Sequence, residues 1–414
     1  MHTMVRHIYL VLMASVLLAA SPAYPDETAP AVGLHSFTPK VTAFTGARIV
    51  TAPGKAIENA VLVIRDGRIE SVGAGVTIPK DAVVRDCAGK TLYPGFIDPY
   101  TALGMPSAPV ADDSGPRSWN GAVRPETSAA KLFAPDAKSA AEFRKNGFCA
   151  AAVYPGAGII RGEGAVMLAG DGEAKELVIS DRAGQSFTLE PAGSGYPQAL
   201  MGRIALIRQT LLDARWYGRA WEAYRASPTG QKQPEINLSL AALGACANGT
   251  APSVMKAPTV LDIFRAAVIA REFGIDMRVV GTGAEYERIE GVAKAGVKLI
   301  VPLEFPDPPE ITPEGPSLRE LRRWDFAPEN PARLERAGIR FAFTTHGMKN
   351  PEDFLKNVRI AVERGLSRDA ALRALTVTPA SFLGAARLSG TLEPGMLANV
   401  IVADGDMFEE KTKI

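Results

Sequence analysis

The chain has 414 residues, 47% of them apolar, with 46 Lys and Arg against 45 Asp and Glu. Balanced charge without a basic block argues against a nucleic-acid partner. The apolar fraction is that of an ordinary globular protein, and the length suits one large domain or a barrel with a smaller companion.

Residues 1–23 read as a signal peptide. Arg6 and His7 precede an apolar run, Ile8 to Ala20, that is short for a bilayer span, and Ser21-Pro22-Ala23 offers small residues for cleavage. The expected mature protein is exported, periplasmic or secreted, with no later membrane span. Residues 24–40 form a Pro- and Ala-rich leader. From Val41, short alternating runs predict strands over 41–44, 47–50 and 60–64. Asp66-Gly67 marks a tight turn into Arg68–Gly73, and Ala82–Asp86 is a further strand. Residues 41–93 are therefore a small β-unit.

Beyond Pro94-Gly95 the pattern becomes alternating strand and helix. Strands are predicted at 147–153, 277–281, 297–301 and 339–344. Helices are predicted at 204–224, 261–273, 285–295 and 368–375, the last with Ser367 as N-cap. The Gly158–Gly164 stretch reads as a surface turn carrying Arg161 and Glu163, and no phosphate-loop Gly-Lys-Ser/Thr follows it. Pro106–Pro135 and Pro306–Pro331 read as insertions. Repeated strand–helix units of this size fit a parallel α/β barrel or a doubly wound sheet, and periodicity does not choose between them. Cys87, Cys149 and Cys246 are isolated, with no CxxC pair. They read best as small buried residues, with one disulfide left open and its pairing unassigned.

Five segments then carry a resemblance: AGKTLYPGFID at 88–98, RAGIRFAFTTHG at 336–347, ERGLSRDAALRALTVTPASFLG at 363–384, GTLEPGMLANVIVADGD at 390–406, and GIIRGEGAVMLAGDG at 158–172. Taken in their order along the chain they resemble amidohydrolases of the imidazolonepropionase-like group. The stretch YPQALMGRIALIRQTLLDARWY at 196–217 resembles long secreted members with two such modules in tandem, the first of which often lacks metal ligands. The resemblance implies an α/β fold: a distorted TIM-type (β/α)8 barrel over 94–389, with a small β-sandwich built from 41–93 and 390–414. It also implies that the sandwich lacks a final strand, leaving an open edge after Val400-Ile401-Val402. Along that edge a second, catalytic amidohydrolase module or another copy of the chain would bind.

The implied chemistry conflicts with the residues present. The family's first-strand His-x-His falls on Tyr100 and Ala102, a later histidine on Lys256, and the aspartate after the last strand on His346. Gly281 and Thr282 stand where the next strand's histidine belongs. The whole chain holds only His2, His7, His35 and His346, too few for a zinc site built largely of imidazoles. No cofactor is expected, zinc or another divalent metal entering only if the site is rebuilt. The family activity is hydrolysis of C–N bonds other than ordinary peptide bonds. The leading expectation is a non-catalytic module. A hydrolase remodelled around His346, Tyr100 and Lys256 is the alternative, and a peptide- or sugar-binding module a third. Without a pocket, Lys256 reads as a rim charge, His346 as a hydrogen-bonded structural residue, and Tyr100 as filler for the vacated metal space. No G-x-S-x-G elbow supports a serine hydrolase.

Overall fold

A computed structural model of the chain describes residues 40–106, 115–193, 195–309 and 315–414. The signal peptide and the leader as far as Pro39 lie outside the described residues, as do His2, His7 and His35. No helix among the described residues is long and apolar enough to cross a membrane.

Strands β1 (Val41–Ala52), β2 (Lys55–Arg65) and β3 (Arg68–Gly73) form an antiparallel meander. Its second turn is Asp66-Gly67, both at positive φ (48° and 74°), as a two-residue hairpin requires. The two short runs expected over 41–50 are one strand, carried past Gly46 by irregular register. Strands β4 (Val83–Asp86) and β5 (Thr91–Pro94) each lie parallel to β1, at Thr42–Thr45 and Arg48–Ile49.

The chain then enters an eight-stranded sheet. Its order is β6 (Phe96–Thr101), β7 (Phe148–Val153), β8 (Ile160–Leu168), β9 (Val178–Thr188), β10 (Ser253–Lys256), β11 (Met277–Val280), β12 (Lys298–Pro302) and β13 (Phe341–Thr344). This is a mixed α/β barrel with one reversed strand. All ladders are parallel except β7–β8 and β8–β9. The cause is connection length. A parallel crossover needs a dozen or more residues, and only 154–159 join β7 to β8. The expected surface turn at Gly158–Gly164 is thus a barrel strand. Its glycines serve close packing. A Cβ on Gly162 would stand 2.2 Å from the Thr127 carbonyl oxygen, and one on Gly164 2.2 Å from the Tyr154 ring.

Two layers of core follow. Outward-facing Met255, Val279, Leu299, Val301 and Phe343 pack under the helices. Inward-facing Ile97, Tyr100, Tyr154, Val254, Val280 and Ile300 fill the barrel. Small Ala150, Ala152, Ala183 and Ala342 complete that interior, which leaves volume for two tyrosine rings. Outside run the helices Leu200–Ala226, Val260–Phe273, Phe354–Glu363 and Arg368–Leu375, among others. Ser367 caps the last of these, accepting from Ala370 N. The helix expected at 285–295 begins as a 3-10 turn, Glu285–Arg288, because the Glu285 carboxylate folds back onto the Thr282 and Gly283 amides (2.7 and 3.2 Å). The Pro306–Pro331 insertion contains a helix, Leu318–Phe326, started by a Ser317–Glu320 capping box.

β14 (Val400–Ala403) returns to the first sheet, antiparallel to β5, and closes the order β14-β5-β1-β2-β3. The Ile69 amide donates to the Met396 carbonyl and the Ile69 carbonyl accepts from the Gly395 amide (2.8 Å each), so the 395–396 segment lies against β3, over a core of Ile49, Leu62, Ile69, Leu92 and Leu392. β5 is the one strand that ladders with β14 among the described residues. Cys87, Cys149 and Cys246 are all unpaired, Cys87 and Cys246 buried. Burial pushes the Cys149 and Cys246 thiols up to about 12.

Candidate functional site

The C-terminal ends of the parallel strands form the mouth where a barrel of this kind carries its chemistry. Because β8 is reversed, its beginning lies at that same end: Ile160 pairs with Phe187, beside Thr188 and Lys256. The reversal is what delivers Arg161 to the mouth.

Asp98 forms the floor and is fully buried. No ladder joins β13 to β6 in the strand order among the described residues, and Asp98 bridges that seam. The Thr345 amide and hydroxyl donate to its Oδ2 (2.9 and 2.6 Å), and the Tyr100 amide donates to Oδ1 (3.0 Å). Thr344 Oγ1 lies 2.7 Å from Asp98 Oδ1 and also 2.7 Å from the Tyr100 carbonyl oxygen. One hydroxyl hydrogen serves only one acceptor, and a proton on Asp98 satisfies both contacts. Burial accordingly pushes the Asp98 carboxyl above its usual range, against the opposing pull of those hydrogen bonds.

Above this floor stands an aromatic group. The Tyr100 ring stacks on Tyr154 (centroids 5.1 Å apart, 26° between planes), and His346 meets it edge-on at 4.9 Å. The His346 amide donates to Thr344 Oγ1 (3.1 Å). Its imidazole is held by this ring contact, and among the described residues not by the side-chain hydrogen bond expected of a structural histidine. Burial, with Lys256 and Arg161 adding repulsion, lowers the imidazole to about 4, so it is neutral at pH 7.

An ionic group completes the mouth. Lys256 Nζ lies 3.2 Å from Glu190 Oε1, and Arg161 Nη2 lies 3.6 Å from Glu190 Oε2. Arg161 is fixed by donating from Nη1 to Tyr100 Oη and from Nε to the Gly158 carbonyl (3.2 Å each). The structure thus brings Tyr100, Lys256 and His346 together. Ala102 is exposed and outside the group. Beside Gly281 and Thr282, where the resemblance called for histidine, the buried Glu285 carboxylate also accepts from Asn330 Nδ2 (2.7 Å). Glu163 accepts from the Gly184 amide (2.6 Å) and Gln185 Nε2 (3.2 Å), and burial raises its pKa. Among the described residues, no three or more His, Cys, Asp or Glu side chains cluster as metal ligands.

Sequence reasoning missed Asp98, Tyr154, Glu190 and Glu285 as parts of the site, and favoured a surface turn over a pocket for Arg161. Asp98 had a signal, since it ends the PGFID segment. Glu190 had none, because only the pairing of β9 with β10 brings it beside Lys256; Glu285 reaches Thr282 through a local turn that the helix pattern at 285–295 concealed.

Comparison with known proteins agrees with this architecture. A model described as "Amidohydrolase family" matches residues 329–414, the stretch holding the last barrel strand, the closing helices and β14. The fold is like that of an amidohydrolase from Thermotoga maritima MSB8, with TM-score 0.74 and 23% identity over 90% of this chain and 96% of that one. The family-model match over the C-terminal fifth of the chain and the shared fold support an amidohydrolase-superfamily assignment. A local likeness is to imidazolonepropionase of Vibrio cholerae serotype O1, 42% identical over 64 residues. That match spans 14% of this chain and 16% of the curated relative. A beta-aspartyl dipeptidase from Fervidobacterium islandicum AW-1, solved with a beta-Asp-Leu dipeptide, shares the fold at TM-score 0.52, with 14% identity over 90% of this chain and 94% of that one.

Proposed function

We propose that this chain is an exported, non-catalytic amidohydrolase module that supports a catalytic partner. The observation that carries the reading is the ionic group at the mouth. An amidohydrolase metal would enter beside the Lys256 ammonium and the Arg161 guanidinium, which share Glu190 as their counter-ion. Two fixed cations repel a third, and the desolvated setting strengthens that repulsion. The remaining donors do not fit a metal either. Both Asp98 oxygens are engaged by the Thr344–Thr345 segment and the Tyr100 amide, and Tyr100 stands at a ligand position where the family has an imidazole. Without a metal there is no bound hydroxide near neutral pH, and the family's hydrolytic step has no nucleophile. The surface that would meet the partner is the free side of β14.

The test is metal content and turnover on the purified chain. After incubation with zinc, iron and manganese, elemental analysis is expected to find far less than one equivalent, and a panel of dipeptides and cyclic amides should show no chelator-sensitive hydrolysis. About one bound equivalent, as structural and catalytic zinc sites hold, or hydrolysis lost on chelation, would overturn the proposal. Hydrolysis abolished by His346→Ala without any metal would favour the remodelled site instead.

A further inference from the structure

Beside the mouth opens a cleft of about 610 Å³, walled by the loops after β6, β7 and β9. That is a size suited to a small organic ligand, for which pockets run roughly 300–1,000 Å³. Its lining has a definite chemical sign. The charged side chains on it are Arg124 and Arg161, and no carboxylate lines it among the described residues. Arg161 is only 13% exposed and is oriented by Tyr100 Oη and the Gly158 carbonyl. Arg124 is anchored through Nε to the Gly121 carbonyl (3.0 Å), which leaves its Nη groups directed elsewhere. Glu190 is already shared between Arg161 and Lys256, so among the described residues positive charge exceeds negative around the cleft. The lowered pKa of His346 is due first to burial, with smaller contributions from Lys256 and Arg161 opposed by Glu190.

The second feature is aromatic. Trp119 and Tyr196 line the same cleft, with 85% and 64% of their surface exposed. Large flat side chains held in the open beside a cleft serve as platforms for ring stacking, and their few rotatable bonds make the ordering cost on binding small. Planar guanidiniums match carboxylates in a two-pronged geometry.

We propose that this cleft binds a small ligand bearing a carboxylate on a ring, the carboxylate taken by Arg161 and Arg124 and the ring by Trp119 and Tyr196. The inference goes beyond the non-catalytic reading and stands independently of it, because it requires neither a metal nor turnover. Isothermal titration of the full chain tests it with matched probes: phenylacetate against phenylacetamide, and glucuronate against glucose. At least one acid should bind about tenfold or more tightly than its neutral counterpart, a difference set by charge-assisted hydrogen bonding. Whichever acid binds better tells an aromatic ring from a saccharide. Arg124→Gln and Trp119→Ala should each weaken binding about tenfold or more, with thermal melting unchanged because Trp119 is exposed. If Trp119→Ala does melt early, Tyr196→Ala replaces it. Equal binding of acid and neutral partner, wild-type binding by both variants, or no heat from either acid at millimolar concentration overturns the proposal.

Discussion

His346 shows how a single residue at this mouth reports its surroundings. Its imidazole sits at about 4 in the folded chain, whereas an unfolded histidine titrates near ~6.5. Between those values the unfolded chain holds a proton that the folded chain refuses. Acid therefore favours unfolding across this window, while above it both states are neutral and nothing is lost. The histidine's contribution is on the order of 2 kcal/mol, discounted for partial exposure. Asp98 acts with the opposite sign, since burial raises its carboxyl. The clean measurement is thus a difference. Urea midpoints of wild type and His346→Gln, taken from pH 7 to 4, should diverge on the acid side, with the variant losing less stability. Parallel curves would mean that the imidazole takes up its proton in the fold as readily as in the unfolded chain. How legible this was is instructive. The substitution of Tyr100 for a ligand could be read directly from PGFIDPYTA, but the stacking of Tyr100 on Tyr154 and the Glu190 bridge depend on contacts between residues far apart in the chain.

At the scale of elements, local signals worked where local physics decides. The Asp66-Gly67 hairpin, the Ser367 cap and the helices at 200–226 and 260–273 all rest on turn chemistry, capping or one apolar face. The strand β8 was hidden because its glycines at 162 and 164, with Gly158 just before it, look like turn punctuation. Their actual cause is steric and lies in another segment, which a single sequence does not display. Gly164 makes this testable. A methyl there would stand 2.2 Å from the Tyr154 ring, and that ring cannot retreat without leaving Tyr100, against which it stacks. Gly164→Ala should therefore cost about 1–3 kcal/mol through overpacking, read as a lower urea midpoint with an unchanged slope. Tyr154→Leu in the same background should recover part of the loss. A neutral Gly164→Ala would mean that β8 shifts freely and that Arg161 is not held where the cleft needs it.

On the scale of the whole molecule, the barrel and the return of the chain to the first sheet were legible from the order of the motifs, while the contacts that tie the last segment down were not. That sheet takes strands from residues 41–94 and from 400–403, so the barrel is inserted between its parts. The segment after β14 is tied back to the barrel by Arg359 on the helix Phe354–Glu363. Its guanidinium donates to the carbonyls of Met407 (2.9 Å), Glu410 (3.0 Å) and Thr412 (2.7 Å). Arg368 adds contacts to Asp406 and Glu409, and Tyr93 Oη contacts Asp406 from the sheet side. Nothing in the local sequence marks Arg359 for this task, because its partners are backbone atoms of an irregular segment. Arg359→Met keeps most of the stem's packing and removes all three hydrogen bonds, which should cost about 2 kcal/mol. The loss should be localised. Amide hydrogen exchange is expected to quicken over 404–413, where Asp404 N donates to the Lys413 carbonyl, and to leave β6 and β13 unchanged. Exchange that quickened equally across both sheets would show instead that barrel and sheet unfold as one cooperative unit, with Arg359 contributing to global rather than local stability.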